Sequence, residues 1–215
     1  MAFPTTGILD DFNRDDEGPP PSANWTTLNI GHEVDANECI PCANNDTCVS
    51  AWSASTFGPN CQCYVELDRI SAYWMGVLAH MTTLVYETYD GYLVRARTNN
   101  TYVQIVRIDN SVLTQLGDDI EAFAWANGDQ VGIEIIDDTI KAWGNDGGAG
   151  WNEIGSEEDA TYAEAGYVGL HTYVTTAGNA EHDGFGGGTI GGAPPAEGGA
   201  AYIPYGSWGI QTFTA

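Results

Sequence analysis

Five thiols stand in one stretch of the chain: Cys39, Cys42, Cys48, Cys61 and Cys63, spaced C-x2-C-x5-C and then C-x-C. Thiols at that density are zinc ligands or disulfide partners. Two disulfides with one thiol over, a four-thiolate zinc site and five free thiols all stay open on spacing, although the second pair lacks the usual C-x2-C of a zinc knuckle. Carboxylates offer acid–base chemistry at two places. "VELDRIS" sets Glu66 and Asp68 on one face of a strand, whereas "IEIIDDT" sets Glu134 and Asp137 three apart, on opposite faces. The four histidines, His32, His80, His171 and His182, show no metal-ligand spacing, and there is no Gly-x-Ser-x-Gly nucleophile elbow.

A recognition surface emerges only when the elements are drawn. In "YLVRARTNNTYVQIVR" the turn falls on Asn99-Asn100, both tolerant of positive φ. Pairing about it places Arg97 opposite Tyr102 and Arg95 opposite Gln104, with Val94, Ala96, Val103 and Ile105 on the other face. Trp143 is expected to join that polar face. Arg95, Arg97, Tyr102, Gln104 and Trp143 are therefore the candidate ligand-binding residues, and an acidic sugar or a partner's carboxylate suits two arginines. A second hairpin, "DQVGIEIIDDTIKAW", turns at Asp137-Asp138 and sets Glu134 opposite Lys141 and Trp143 opposite Gly132.

Short apolar stretches broken by Gly, Asn and Asp run from about Cys61 to Ile190, among them "YVELDRI", "SAYWMGVLAH", "TLVYETY", "TYVQIVRID" and "GYVGLHTYV". They predict an all-β antiparallel sandwich. "DDIEAFAWA" admits a short helical turn. In "CQCYVEL" the positions Cys61, Cys63, Val65 and Leu67 share a face directed at the core. After Ile190 the texture changes: residues 191–200 read as a Gly/Pro linker. Residues 201–215 read as an aromatic arm, with Tyr202, Tyr205, Trp208 and Phe213 set to dock on a neighbouring subunit.

Thirty acids against five arginines and one lysine give a formal charge of −24. Nucleic-acid backbones and anionic membrane surfaces need clustered cations, so both are excluded as partners. No stretch approaches the length of a membrane span, and the opening "MAFPTTGILDDF" has neither a basic nor an apolar leader region. The expectation is a soluble chain that does not use the general secretory route.

"LDDFNR…NW" at the start and "HDGFGGGTI" at the end resemble the terminal strands of concanavalin A-like (laminin-G and glucanase type) jelly rolls. "AWSASTFGPNCQCYVEL", "ANGDQVGIEIIDDTIKAWGNDG" and "EAGYVGLHTY" are similar to that family's intervening motifs, in order, from Gly7 to Ile190. The resemblance implies that the first and last strands lie side by side, with Phe12 and Phe185 packed beneath. It also implies that Asp11 and Asp183 approach each other, where a structural Ca²⁺ suits an all-oxygen ligand set. Retaining glucanases of this fold place Glu-x-Asp-x-x-Glu or Glu-x-Asp-x-Glu on one strand. Here Glu66 and Asp68 are followed by Ile70 and Ser71, so the second catalytic carboxylate is missing. Alginate-lyase patterns need Gln-Ile/Val-His, and "VQIVR" has Val106 at the histidine position. The expectation is a non-enzyme.

Jelly rolls of this type are frequent in bacteriophage virions, so the resemblance implies a virion surface or capsid decoration protein with capacity for glycan adhesion. Its localisation would be the virion surface, and its partners other virion or self subunits engaged through the arm. The alternative is a standalone carbohydrate-binding, lectin-like module.

Overall fold

A computed structural model describes residues 3–70, 73–176 and 179–191. Fifteen strands form two antiparallel sheets among these residues. The first sheet runs β13 (Trp151–Glu158), β12 (Thr139–Asn145), β11 (Asp129–Ile136), β6 (Cys61–Ile70), β15 (Ala180–Thr189), β4 (Glu38–Pro41) and β3 (His32–Asp35), with β1 (Ile8–Asp10) also on β15. The second runs β10 (Val112–Glu121), β9 (Tyr102–Asp109), β8 (Gly91–Ala96), β7 (Trp74–Met81), β14 (Gly166–Val174), β5 (Asp46–Phe57) and β2 (Trp25–Asn29). This is the all-β sandwich that the patterning predicts.

Both hairpin registers are as expected. Arg95 pairs with Gln104 and Ala96 with Val103, and the Arg97 amide donates to the Tyr102 carbonyl. Glu134 lies opposite Lys141 and Trp143 opposite Gly132. Lys141 nonetheless turns to the other neighbouring strand, where its Nζ meets Glu153 at 2.7 Å.

Between the sheets lies the main core. Cys61, Cys63, Val65 and Leu67 do face it, against Val77, Val94, Ile105 and Leu170 of the opposite sheet. Burying a side chain of this size contributes roughly 1.5–3 kcal/mol, so the interior supplies the bulk of the stability. A second, smaller core covers part of the outer face of the β10–β2 sheet. There Leu84 and Tyr89, from the β7–β8 connection, pack on Val49, Leu78, Leu93 and Val106.

That connection corrects one expectation. "TLVYETY" is a covering loop, with Glu87 at a positive φ of 57° and its amide donating to the Leu28 carbonyl. It uses Leu84 and Tyr89 to cap a sheet instead of extending one. Strands also begin much earlier than Cys61, since β1 to β5 precede it, and β13 is a further strand that the patterning passed over. "DDIEAFAWA" forms no helix: β10 runs on through Asp118 to Glu121.

The acid-rich opening has a structural explanation. β1 lies beside β15 with Asp10 opposite Phe185, as the resemblance implied. Asp10 receives Arg14 at 2.6 and 3.0 Å and the indole Nε1 of Trp25 at 2.8 Å. Phe12 and Phe185 are fully buried below it, both against the Trp25 ring. One carboxylate thus joins the first strand, the following turn and β2.

Candidate functional site

Strand alternation decides what each outer face displays. On the β10–β2 sheet, Met75, Val77, Val94, Ala96, Val103 and Ile105 point inward. Trp74, Gly76, Arg95, Arg97, Tyr102 and Gln104 therefore point outward. β7 pairs with β8 so that Gly76 lies opposite Arg95, and β14 pairs with β7 so that His171 lies opposite Gly76 and Tyr173 opposite Trp74. Two rows result: His171, Gly76, Arg95 and Gln104, then Tyr173, Trp74, Arg97 and Tyr102. They occupy the part of this face beside the smaller core. Tyr73 stands at its margin, in edge contact with Tyr173.

The rows are tied together. The Arg95 guanidinium lies 4.2 Å from the Trp74 ring centroid and that of Arg97 5.5 Å from it, both within cation–π range. Arg95 donates through Nε and Nη2 to the Gln104 Oε1 at 3.0 and 2.7 Å. Gln104 passes the interaction on, its Nε2 donating to Gln115 Oε1 at 2.8 Å and Asp119 Oδ1 at 2.6 Å. Burial lowers the Arg95 pKa to about 10, with Asp119 opposing, so the group stays charged at neutral pH. His171 is 1% exposed, and neither ring nitrogen has a hydrogen-bond partner among the described residues. Burial, with Arg95 nearby, lowers its pKa to about 3 and keeps it neutral.

Four of the five predicted ligand residues are thus brought together: Arg95, Arg97, Tyr102 and Gln104. Trp143 is not among them. It belongs to the other sheet, where it stacks on Phe3 at 4.9 Å within a cluster that includes Tyr64 and Trp151. Gly132 leaves room there for the Phe3 ring. Trp74, Tyr173 and His171 are the members that sequence reasoning missed. "SAYWMGVLAH" is apolar on both faces and signals nothing about which side the indole takes.

The outer face of the first sheet has the opposite character. Asp183 pairs with Glu66 across β15 and β6, and Glu38 comes from β4 beside it. Burial, with like charge from Asp183, Asp68, Glu181 and Glu66, raises the Glu38 carboxyl to about 7. Burial likewise raises Glu66 and Asp183. A raised carboxyl beside ionised ones is an acid–base arrangement in principle. This row, however, lies along the sheet face, outside the open depressions bounded by Leu9, Asp11, Asn24 and Trp52 and by Asp16, Glu33 and Asp35.

The first of those depressions holds Asp11, one of the two residues expected at calcium. Asp11 Oδ1 accepts from the Asn13 amide, Asp183 Oδ1 accepts from Gly184, and Asp183 lies within the field of Asp11. Among the described residues no three His, Cys, Asp or Glu side chains gather as a cation site. The pair by itself does not make the oxygen cage that Ca²⁺ takes.

The same holds for zinc at the cysteines, which corrects that alternative. All five are free thiols, Cys39, Cys48, Cys61 and Cys63 buried and Cys42 partly so, and no disulfide links them. Burial raises Cys42 to about 12, Cys48 to about 11 and Cys61 to about 12, and Cys39 and Cys63 well above the ordinary value. Cys39, Cys61 and Cys63 belong to the main core, and burial favours the protonated thiol at all five. The expected arm, with Tyr202, Tyr205, Trp208 and Phe213, and nearly all of the 191–200 linker lie outside the described residues.

No family model and no curated protein matches the chain. Solved structures do. A carbohydrate-binding module, CBM66 from Bacillus subtilis, superposes with a TM-score of 0.59 at 13% identity over 75% of this chain and 91% of its own. The exoplasmic/lumenal domain of VIP36, in its Ca²⁺/Man-bound form, gives 0.59 at 7% identity over 87% and 91%. A mutant of the GH43 protein BlXynB from Bacillus licheniformis gives 0.52 at 15% identity over 83% of this chain, which spans only 38% of that one. The fold is a concanavalin A-like jelly roll. None of these similarities bears on virion decoration.

Proposed function

We propose that this chain is a non-catalytic glycan-binding module whose binding face is the part of the β10–β2 sheet left open beside the smaller core. One observation carries the reading: Trp74, Tyr102 and Tyr173 share that face with two arginines held in fixed positions. Aromatic rings offer flat apolar surfaces to the C–H faces of a pyranose, and a few placed polar groups set its orientation. Aromatic residues and arginine are also the types enriched at recognition surfaces.

The open depression at Asp11 is a weaker candidate because its polar groups already serve the fold. Asp10 is bound by Arg14 and Trp25, and Ser22 Oγ accepts from the Asn24 amide. The carbohydrate-binding module and the Man-bound VIP36 domain support the reading at the level of fold. Guanidinium and indole groups are donors and do not coordinate Ca²⁺, so binding at this face is expected to be independent of calcium.

The test is a glycan array probed with the labelled chain, with and without chelator. Binding to a defined set of glycans that survives chelation is expected. Binding abolished by chelator would move the site away from this face, and no binding to any glycan would refute the reading.

A further inference from the structure

The chain's cations are few, and four of the six are ion-paired. Arg14 pairs with Asp10 and Glu17, Arg69 with Glu181, Arg107 with Asp109 and Asp159, and Lys141 with Glu153. Arg95 and Arg97 are the remaining two. Neither has a carboxylate at ion-pair distance among the described residues, in a chain with thirty acids. They are two residues apart on one strand face, and both border Trp74.

Arg95 is also pre-positioned. Its charge is relayed through a neutral amide, Gln104, to Asp119, so the guanidinium is oriented without being neutralised by direct contact. Gln104 is itself only 8% exposed. His171, buried in the same row, has two ring nitrogens without a hydrogen-bond partner among the described residues. A largely desolvated arginine whose nearest carboxylate, Asp119, reaches it only through Gln104 favours an incoming carboxylate, whose two oxygens match the guanidinium fork.

We infer that the ligand of this face is an acidic sugar, held by its carboxylate at Arg95 and Arg97 while its ring lies against the neighbouring aromatic side chains. The inference rests on the glycan-binding reading and narrows it to one chemical class. The methyl ester of such a sugar keeps the ring and removes the charge, so it isolates the part of binding assigned to the arginines.

The experiment is calorimetric titration of the full chain with oligogalacturonate, oligomannuronate and sialyllactose, each beside its carboxyl methyl ester, and with neutral xylo- and manno-oligosaccharides. At least one acid should bind, with its ester weaker by about tenfold to a hundredfold, the range for losing a hydrogen bond to a charged group. Arg97→Gln should lose a similar factor with an unchanged melting temperature. Arg95→Gln should do the same if it folds, and Arg97→Gln carries the test if it does not. Equal binding of acid and ester would overturn the inference. So would binding of neutral sugars that both variants retain, which would leave the glycan reading standing. Binding of no sugar would overturn both.

Discussion

Along the outer face of one sheet, Glu38, Asp183 and Glu66 stand together as like charges. Along the outer face of the other, Arg95 and Arg97 stand together as well. The responses differ. The acids are pushed toward protonation by burial and by one another, Glu38 to about 7. Arg95 is braced by the Trp74 ring and by a glutamine whose far end meets Asp119, and Arg97 by a longer contact with the same ring and by Asn99. An excess of thirty acids over six bases could have placed a carboxylate against each arginine. Among the described residues, the two without one at ion-pair distance are those set beside an aromatic ring. Net charge therefore describes solubility, and only the local arrangement describes recognition.

The comparison can be broken first with acid. His171 and His182 are fully buried, and burial lowers both to about 3 from an ordinary 6.5. Their stabilisation is complete above pH 6.5 and is lost as pH falls toward 3, because the unfolded chain binds the protons that the folded one refuses. At about 1.4 kcal/mol per pH unit for each, the two remove about 5 kcal/mol by about pH 4.5. The Glu38 row acts with the opposite sign, since a raised carboxyl loses stability as pH rises through 7. A denaturant series across pH should thus find greatest stability between about pH 6 and 7 and a steep fall below it. Undiminished stability at about pH 4.5 would contradict the burial of these rings.

Removing single acids sharpens the contrast. Asp10→Ala leaves Arg14 and the Trp25 indole without their shared acceptor and should cost about 3–5 kcal/mol. Glu38→Gln should do the reverse, stabilising by about 1 kcal/mol at pH 8, with the gain gone near pH 5. Thermal melts would read that gain as about 2–4 °C. A destabilised Glu38→Gln protein at pH 8 would show that the row contains bonding that repulsion does not outweigh.

Much of this was legible in the chain, and the illegible parts share a cause. The Asn99-Asn100 and Asp137-Asp138 turns fix their own registers, because turn chemistry and alternation agree within a few residues. Arg95, Arg97, Tyr102 and Gln104 could thus be assigned to one face. Trp143 could not be placed relative to them, since the two hairpins pair into different sheets and no local signal states that. Trp74 was hidden for a related reason. Its strand is joined to β8 by the Thr82–Asp90 connection, too long to fix a register, and is apolar on both faces. The early strands escaped because Pro, Cys and Asn punctuate them, with positive φ at Ala36, Asn37 and Asn45 between short pairings. Asp11 and Asp183 were the acids expected to matter at the first and last strands, yet the one that ties the fold together there is Asp10.

The most direct test of the account compares two tryptophans, one on each outer face. Once a bound glycan is known, its affinity should be measured for Trp74→Ala and Trp143→Ala beside the unaltered chain. Trp74→Ala should weaken binding at least about tenfold, through loss of a stacking surface and of the ring that positions both arginines. Trp143→Ala should lower the melting temperature and leave affinity unchanged. Affinity lost with Trp143→Ala and kept with Trp74→Ala would place recognition on the other sheet and contradict the assignment.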